Sequence, residues 1–143
     1  MMRHTIVWVD ANSSDPTNSF RMKLGDAQLF SSSDDGCEAF ITSHTDTSIY
    51  LIVSGSIAQT LVPKVYDCEN LVKVFVFCGS VINYVEWALD YCDKMMIFDH
   101  GDDLLERLWN DLESQFRQQA KQCLKCADDY KQRALQYKQP SCG

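Results

Sequence analysis

No apolar run in the chain approaches the ~20 residues that a membrane-spanning helix requires. The N-terminus, Met1-Met2-Arg3-His4, leads straight into a strand-like run with no apolar signal region. These two absences point to a cytoplasmic protein with no membrane association. There is no Gly-x-Gly-x-x-Gly turn and no Walker loop. A tightly held nucleotide is therefore not indicated, and no cofactor is expected. Cys123-Leu124-Lys125-Cys126 has CxxC spacing but no second pair. A zinc ribbon needs two pairs, and a redox CxxC opens a helix after a strand. This one lies inside a helical pattern and reads as chance placement. Basic charge is scarce in residues 1–100, which hold 13 acids and 6 bases, whereas residues 101–143 hold 7 of each. Affinity for phosphates comes mainly from Lys and Arg, so a nucleic-acid partner is not expected.

What is present fits a globular domain. The chain has 143 residues, 45% hydrophobic and 11% aromatic, enough for one domain with a real core. The cysteine count is 7, an odd number, and Cys78 and Cys92 lie in apolar segments expected to be buried. Reduced thiols acting as small hydrophobes are the better reading.

The most concentrated apolar run is Ile49-Tyr50-Leu51-Ile52-Val53, ending in Ser54-Gly55-Ser56. Its twin, Val72-Lys73-Val74-Phe75-Val76-Phe77, ends in Cys78-Gly79-Ser80. Runs apolar on both faces suit central strands of a parallel sheet covered on both sides. Thr5–Asp10, Ala27–Phe30 and Lys94–Asp99 read as further strands, the second near a sheet edge. Between them, helices are expected over about 16–23, with Ser14 or Asp15 as cap and Pro16 at the first position, and from Cys37 to about Ser43. Residues 57–62 look helical up to Pro63, and Lys64–Asn70 forms a second short piece. Ser80 is placed to cap a helix over 81–92 with Val81, Val85, Leu89 and Cys92 on one face and Trp87 beside it. A last helix runs from 102 to about 137 with one apolar stripe that includes Leu105, Leu108, Leu112, Phe116, Tyr130 and Tyr137.

The alternation predicts an α/β fold. It is a three-layer, doubly wound, five-stranded parallel sheet of flavodoxin-like order 2-1-3-4-5 with a long C-terminal helix. Residues 1–100 would form the core and 101–143 the helix. Its first half would pack on the sheet. Its second half, from about Gln119, would project, pair with a partner or homodimerise, or lead into a further domain.

The carboxyl edge of such a sheet is where ligands bind. There the candidate binding residues are Asp10, Asn12, Ser54, Ser56, Ser80 and Asp99. In response-regulator receivers this edge carries a magnesium-binding acid after strand one, a phosphorylatable aspartate after strand three, a Ser or Thr after strand four, for which Ser80 is the match, and a lysine after strand five. Asp10 matches the first and is the one metal candidate. Ser54 stands at the acceptor position and Asp99 or His100 at the lysine position, so an aspartyl phosphate has no carboxylate to form on. Caspase-like proteases place a nucleophilic cysteine where Cys78 stands, with a His-Gly where Ser54-Gly55 stands. A thiol with no positioned base is a weak nucleophile. TIR domains that cleave NAD use a helix glutamate, for which Glu86 and Glu38 are the candidates. Each has a plain alternative as a solvated helix charge.

Val7-Trp8-Val9-Asp10-Ala11-Asn12, Tyr50–Ser56, Leu61–Asp67, Val74–Gly79 and Glu86-Trp87-Ala88 resemble a receiver-like N-terminal module of bdelloid rotifer multidomain proteins. The resemblance covers residues 5–100 in order. In that family the module precedes tetratricopeptide repeats or an arginine-type ADP-ribosyltransferase domain. It implies a regulatory or interaction role and brings no catalytic residue. Tyr66 stands where the family usually has His, and the relatives continue past the point where this chain stops. The expected function is thus a non-catalytic signalling and protein-interaction module, with a TIR-like NAD-processing enzyme or nucleotide sensor as the alternative.

Overall fold

The computed structural model describes residues 3–138. The chain divides into two compact units between Glu106 and Arg107. In the first, five strands form one sheet: β1 (Arg3–Val9), β2 (Gln28–Phe30), β3 (Thr47–Ser54), β4 (Leu71–Phe77) and β5 (Met95–Phe98). All pairings are parallel, and the order is β2-β1-β3-β4-β5. β3 is buried from Thr47 to Val53 because it lies between β1 and β4 and both its faces are covered. Register sets Val7 beside Leu51 and Leu51 beside Val74. Alternation then divides the side chains. Val7, Val9, Leu51, Val53, Val74 and Val76 face one core, packed with Cys37 and Ile41 of α2 (Cys37–Ser43) and Ala58, Leu61 and Val65 of α3 (Gly55–Val65). Trp8, Tyr50, Ile52 and Phe75 are buried on the other face. There α1 (Ser19–Leu24) brings Phe20 against Trp8, ring centroids 5.1 Å apart. Leu104 and Leu105, at the start of α5 (Gly101–Lys138), are buried as well. Among the described residues no helix is long and apolar enough to cross a membrane.

Four local expectations need correction. α1 starts at Ser19, not 16, and its cap is Asn18, whose side chain accepts from the Arg21 N–H. Asp15 is otherwise engaged, since its carboxylate accepts from Thr17 N and Oγ1. Pro63 does not end α3, which runs unbroken to Val65. A proline this close to a helix end forfeits one bond, to the carbonyl of exposed Gln59, while Leu61, Val62 and Val65 gain burial. The helix expected over 81–92 is three short pieces: 3₁₀ turns at Val81–Asn83 and Leu89–Tyr91 flank α4 (Val85–Ala88). Ser80 makes no side-chain cap there. The buried face is also the opposite one. Trp87, Ala88 and Tyr91 pack on the core, while Val85, Leu89 and Cys92 are exposed. The bulkier aromatic pair wins the core because it buries more apolar area.

Two clamps hold the amino edge. Asn70 is buried, and its Nδ2 donates to Ile41 O (2.6 Å) and His44 O (3.0 Å), closing the C-terminus of α2. Lys94 Nζ donates to Tyr66 O (2.7 Å) and Cys68 O (3.1 Å) and lies 5.2 Å from the Tyr66 ring centroid. Tyr66 is thus part of a structural clamp.

The second unit is the rest of α5, a helix of 38 residues in all and about 57 Å long at 1.5 Å per residue. Pairs at i,i+4, Arg107–Asp111 and Glu113–Arg117, support it with a few tenths of a kcal/mol each. Every residue from Ala120 to Lys138 is exposed.

Asn70→Ala removes the buried donor to Ile41 O and one of two donors to His44 O, which keeps the Thr47 N–H. The expected loss is about 2–3 kcal/mol, read as a lower urea midpoint at unchanged m. A loss below about 0.5 kcal/mol would show that the clamp is dispensable.

Candidate functional site

The carboxyl edge is built from four strand exits. After β1, the Asp10 carboxylate accepts from the Asn12 N–H at 2.8 Å, and its backbone N–H donates to Phe30 O at 3.0 Å. Ser13, buried, donates its hydroxyl to the same carbonyl at 2.9 Å. The turn-forming residues of this loop are therefore spent on tying β1 to β2.

A cavity of about 320 Å³ opens on the α1 side of this exit. Trp8, Phe20 and Phe77 supply its aromatic wall; Asp10, Asn12, Lys23 and Asp102 supply polar groups. Lys23 Nζ meets Asp102 Oδ1 at 2.9 Å, a largely exposed pair worth at most about 1 kcal/mol. The size suits a small ligand. The lining holds no cysteine, histidine or glutamate among the described residues.

β3 enters α3 with no loop between them. Ser54 is both the last strand residue and the N-cap, and its hydroxyl makes no capping bond. Gly55 opens the helix because the half-buried Tyr84 ring lies directly on it. A methyl group at Gly55 would fall 2.7 Å from Tyr84 Cζ and 2.8 Å from its hydroxyl oxygen. Tyr84 thus covers the first turn of α3.

After β4, Cys78 is 5% exposed and its N–H donates to Phe98 O. Burial pushes its thiol pKa up; the Ser80 backbone N–H pulls it down, and the charge of Asp99 adds to the rise. No imidazole hydrogen-bonds the sulfur among the described residues. His100 instead sits 3.9 Å from Asp99, and both are exposed. A protonated, buried thiol without a base is a packing residue.

Of the predicted edge residues, Asp10 and Asn12 line the cavity. Ser54, Ser56, Ser80 and Asp99 do not line it: Ser56 is exposed on α3, Ser80 starts a 3₁₀ turn and Asp99 follows β5. Glu38 and Glu86 lie on separate helices, α2 and α4, and neither lines the cavity. Among the described residues no group of three or more His, Cys, Asp or Glu is placed to hold a metal, Asp10 included. The sequence reading missed Trp8, Phe20, Lys23 and Tyr84. Trp8 was open to discovery, because alternation sends it to the face opposite Val7 and Val9. Tyr84 was not, because its role depends on the break after Asn83.

Gly55→Ala is expected to cost about 1–3 kcal/mol by overpacking against Tyr84. In a double-mutant cycle with Tyr84→Ala most of that cost disappears, and additive losses would refute the contact. With a thiol reagent on the native protein, exposed Cys92, Cys123 and Cys126 react first. Buried Cys37 and Cys78, whose pKa values are both raised chiefly by burial, react only after denaturant is added. Compared with models of protein families, with curated proteins and with solved structures, the chain matches none.

Proposed function

We propose that the chain is a non-catalytic, receiver-like interaction module, the N-terminal regulatory part of a larger protein, that binds a protein partner. The observation that carries this reading is the outward strip on the segment after β4. Ile82 is 82% exposed and Leu89 67%, with Val85, exposed as well, between them in sequence. Water-exposed residues of this size, in a row and anchored by Trp87 and Tyr91 beneath, mark a contact surface. The closed edge supports the same reading. Tyr84 sits over α3, Cys78 has no base, and the Asp10 carboxylate is engaged by its own loop.

Because these side chains already lie in water, Ile82→Ser and Leu89→Ser should each change stability by less than about 0.5 kcal/mol. A benzophenone side chain at position 89 should yield a protein adduct in extracts of the cells that make the chain. The same probe at exposed Thr60 on α3 should not. Incubation with NAD should release no nicotinamide. No adduct at position 89, or nicotinamide release lost in Glu86→Ala, would overturn the reading.

A further inference from the structure

The exposed strip has a charge pattern that says what should cover it. Ile82, Val85, Leu89 and Cys92 follow one another at steps of three, four and three. Glu86, Asp90 and Asp93 run alongside at steps of four and three, and residues 80–93 contain no base. None of these three acids is in an ion pair among the described residues. The surface is apolar with an acidic border, and it asks for an apolar seam with a basic border.

The far half of α5 carries one. Ala120, Cys123, Ala127, Tyr130, Ala134 and Tyr137 repeat at steps of three and four, a seven-residue pattern. Tyr130 and Tyr137 are 66% and 91% exposed. Small alanines between large tyrosines make a notched seam that lets another helix approach closely. Lys131 and Lys138 flank it on one side and Arg133 on the other, while Asp128 and Asp129 fall on the outer face. Two such seams paired in parallel would set Arg133 of one against Lys138 of the other, a like-charge contact at the positions that decide coiled-coil partners. The basic border favours the acidic strip instead.

We infer that the basic-bordered seam of the C-terminal helix of one copy docks on the acidic-bordered strip, Ile82 to Cys92, of a second copy. This rests on the reading of the strip as a partner surface and names the partner. The contact is head to tail, so a pair retains one free strip and one free seam, and association continues unless the geometry closes a ring. Opposed charge borders also make it weaken with salt.

The test is sedimentation velocity on the full chain. Wild type should associate with rising concentration and less so at high salt. Ile82→Ser/Leu89→Ser removes the strip, and Tyr130→Ser/Tyr137→Ser removes the seam; each should weaken association about tenfold or more. Mixed in equal amounts, the two variants should form a one-to-one dimer, because each supplies the surface the other lacks. Glu86→Lys/Asp90→Lys should abolish association, and mixing with Lys131→Glu/Arg133→Glu should restore it. A wild type that stays monomeric at its highest soluble concentration overturns the inference, as does failure of the mixed variants to pair. Seam-variant self-association as strong as wild type also overturns it. The position-89 probe separates the two levels. An adduct joining residue 89 to the 120–138 segment of a second copy supports the inference. An adduct with a different protein alongside a monomeric wild type overturns self-docking but keeps the interaction reading. No adduct at all removes both.

Discussion

Everything in the first unit follows from the need to keep β3 dry on both faces. Its backbone pairs with β1 and β4, and its side chains from Thr47 to Val53 are buried. A parallel strand in that position cannot be reached by a tight turn, so each neighbour is joined through a crossover. Right-handed crossovers then distribute the helices over the two faces of the sheet. The carboxyl edge, the loops that form it and the cavity beside β1 are consequences of that one burial requirement.

The edge that this architecture reserves for ligands is here largely closed by the protein itself. Asp10 bonds its own loop, Ser54 passes directly into α3, and Tyr84 lies on Gly55. What stays open is the aromatic cavity on the α1 side and, further along, the apolar strip of the segment after β4.

The legible parts were those decided by period and composition. Two apolar runs with β-branched residues could only be central strands, and the five-strand order follows from connection rules. The long stripe from Leu105 onward read correctly as one helix. What failed was decided by competition between neighbours. Residues 81–92 carry apolar side chains all round, so spacing alone offered two faces, and the aromatic one took the core. Pro63 looked like a terminator because the cost of a proline is local, whereas the burial of Val65 that outweighs it is tertiary. Ser14 and Asp15 were the expected caps, but Asp15 is engaged by Thr17 and the cap falls to Asn18, nearer the actual helix start. Of the site, Asp10 and Asn12 were visible as strand-exit residues. The aromatic wall was not, since it needs α1 to be set against Trp8.

The Lys94 clamp and the Tyr84 contact together give the segment between β4 and β5 a mechanical character. Its C-terminal end is pinned to the carbonyls of Tyr66 and Cys68, and its middle rests on Gly55 through one aromatic ring. Ile82 and Val85 flank that ring in sequence and face outward. A load applied to them is therefore carried by a short lever with one fixed end. The ring bears on the first turn of α3, which follows directly from the central strand β3.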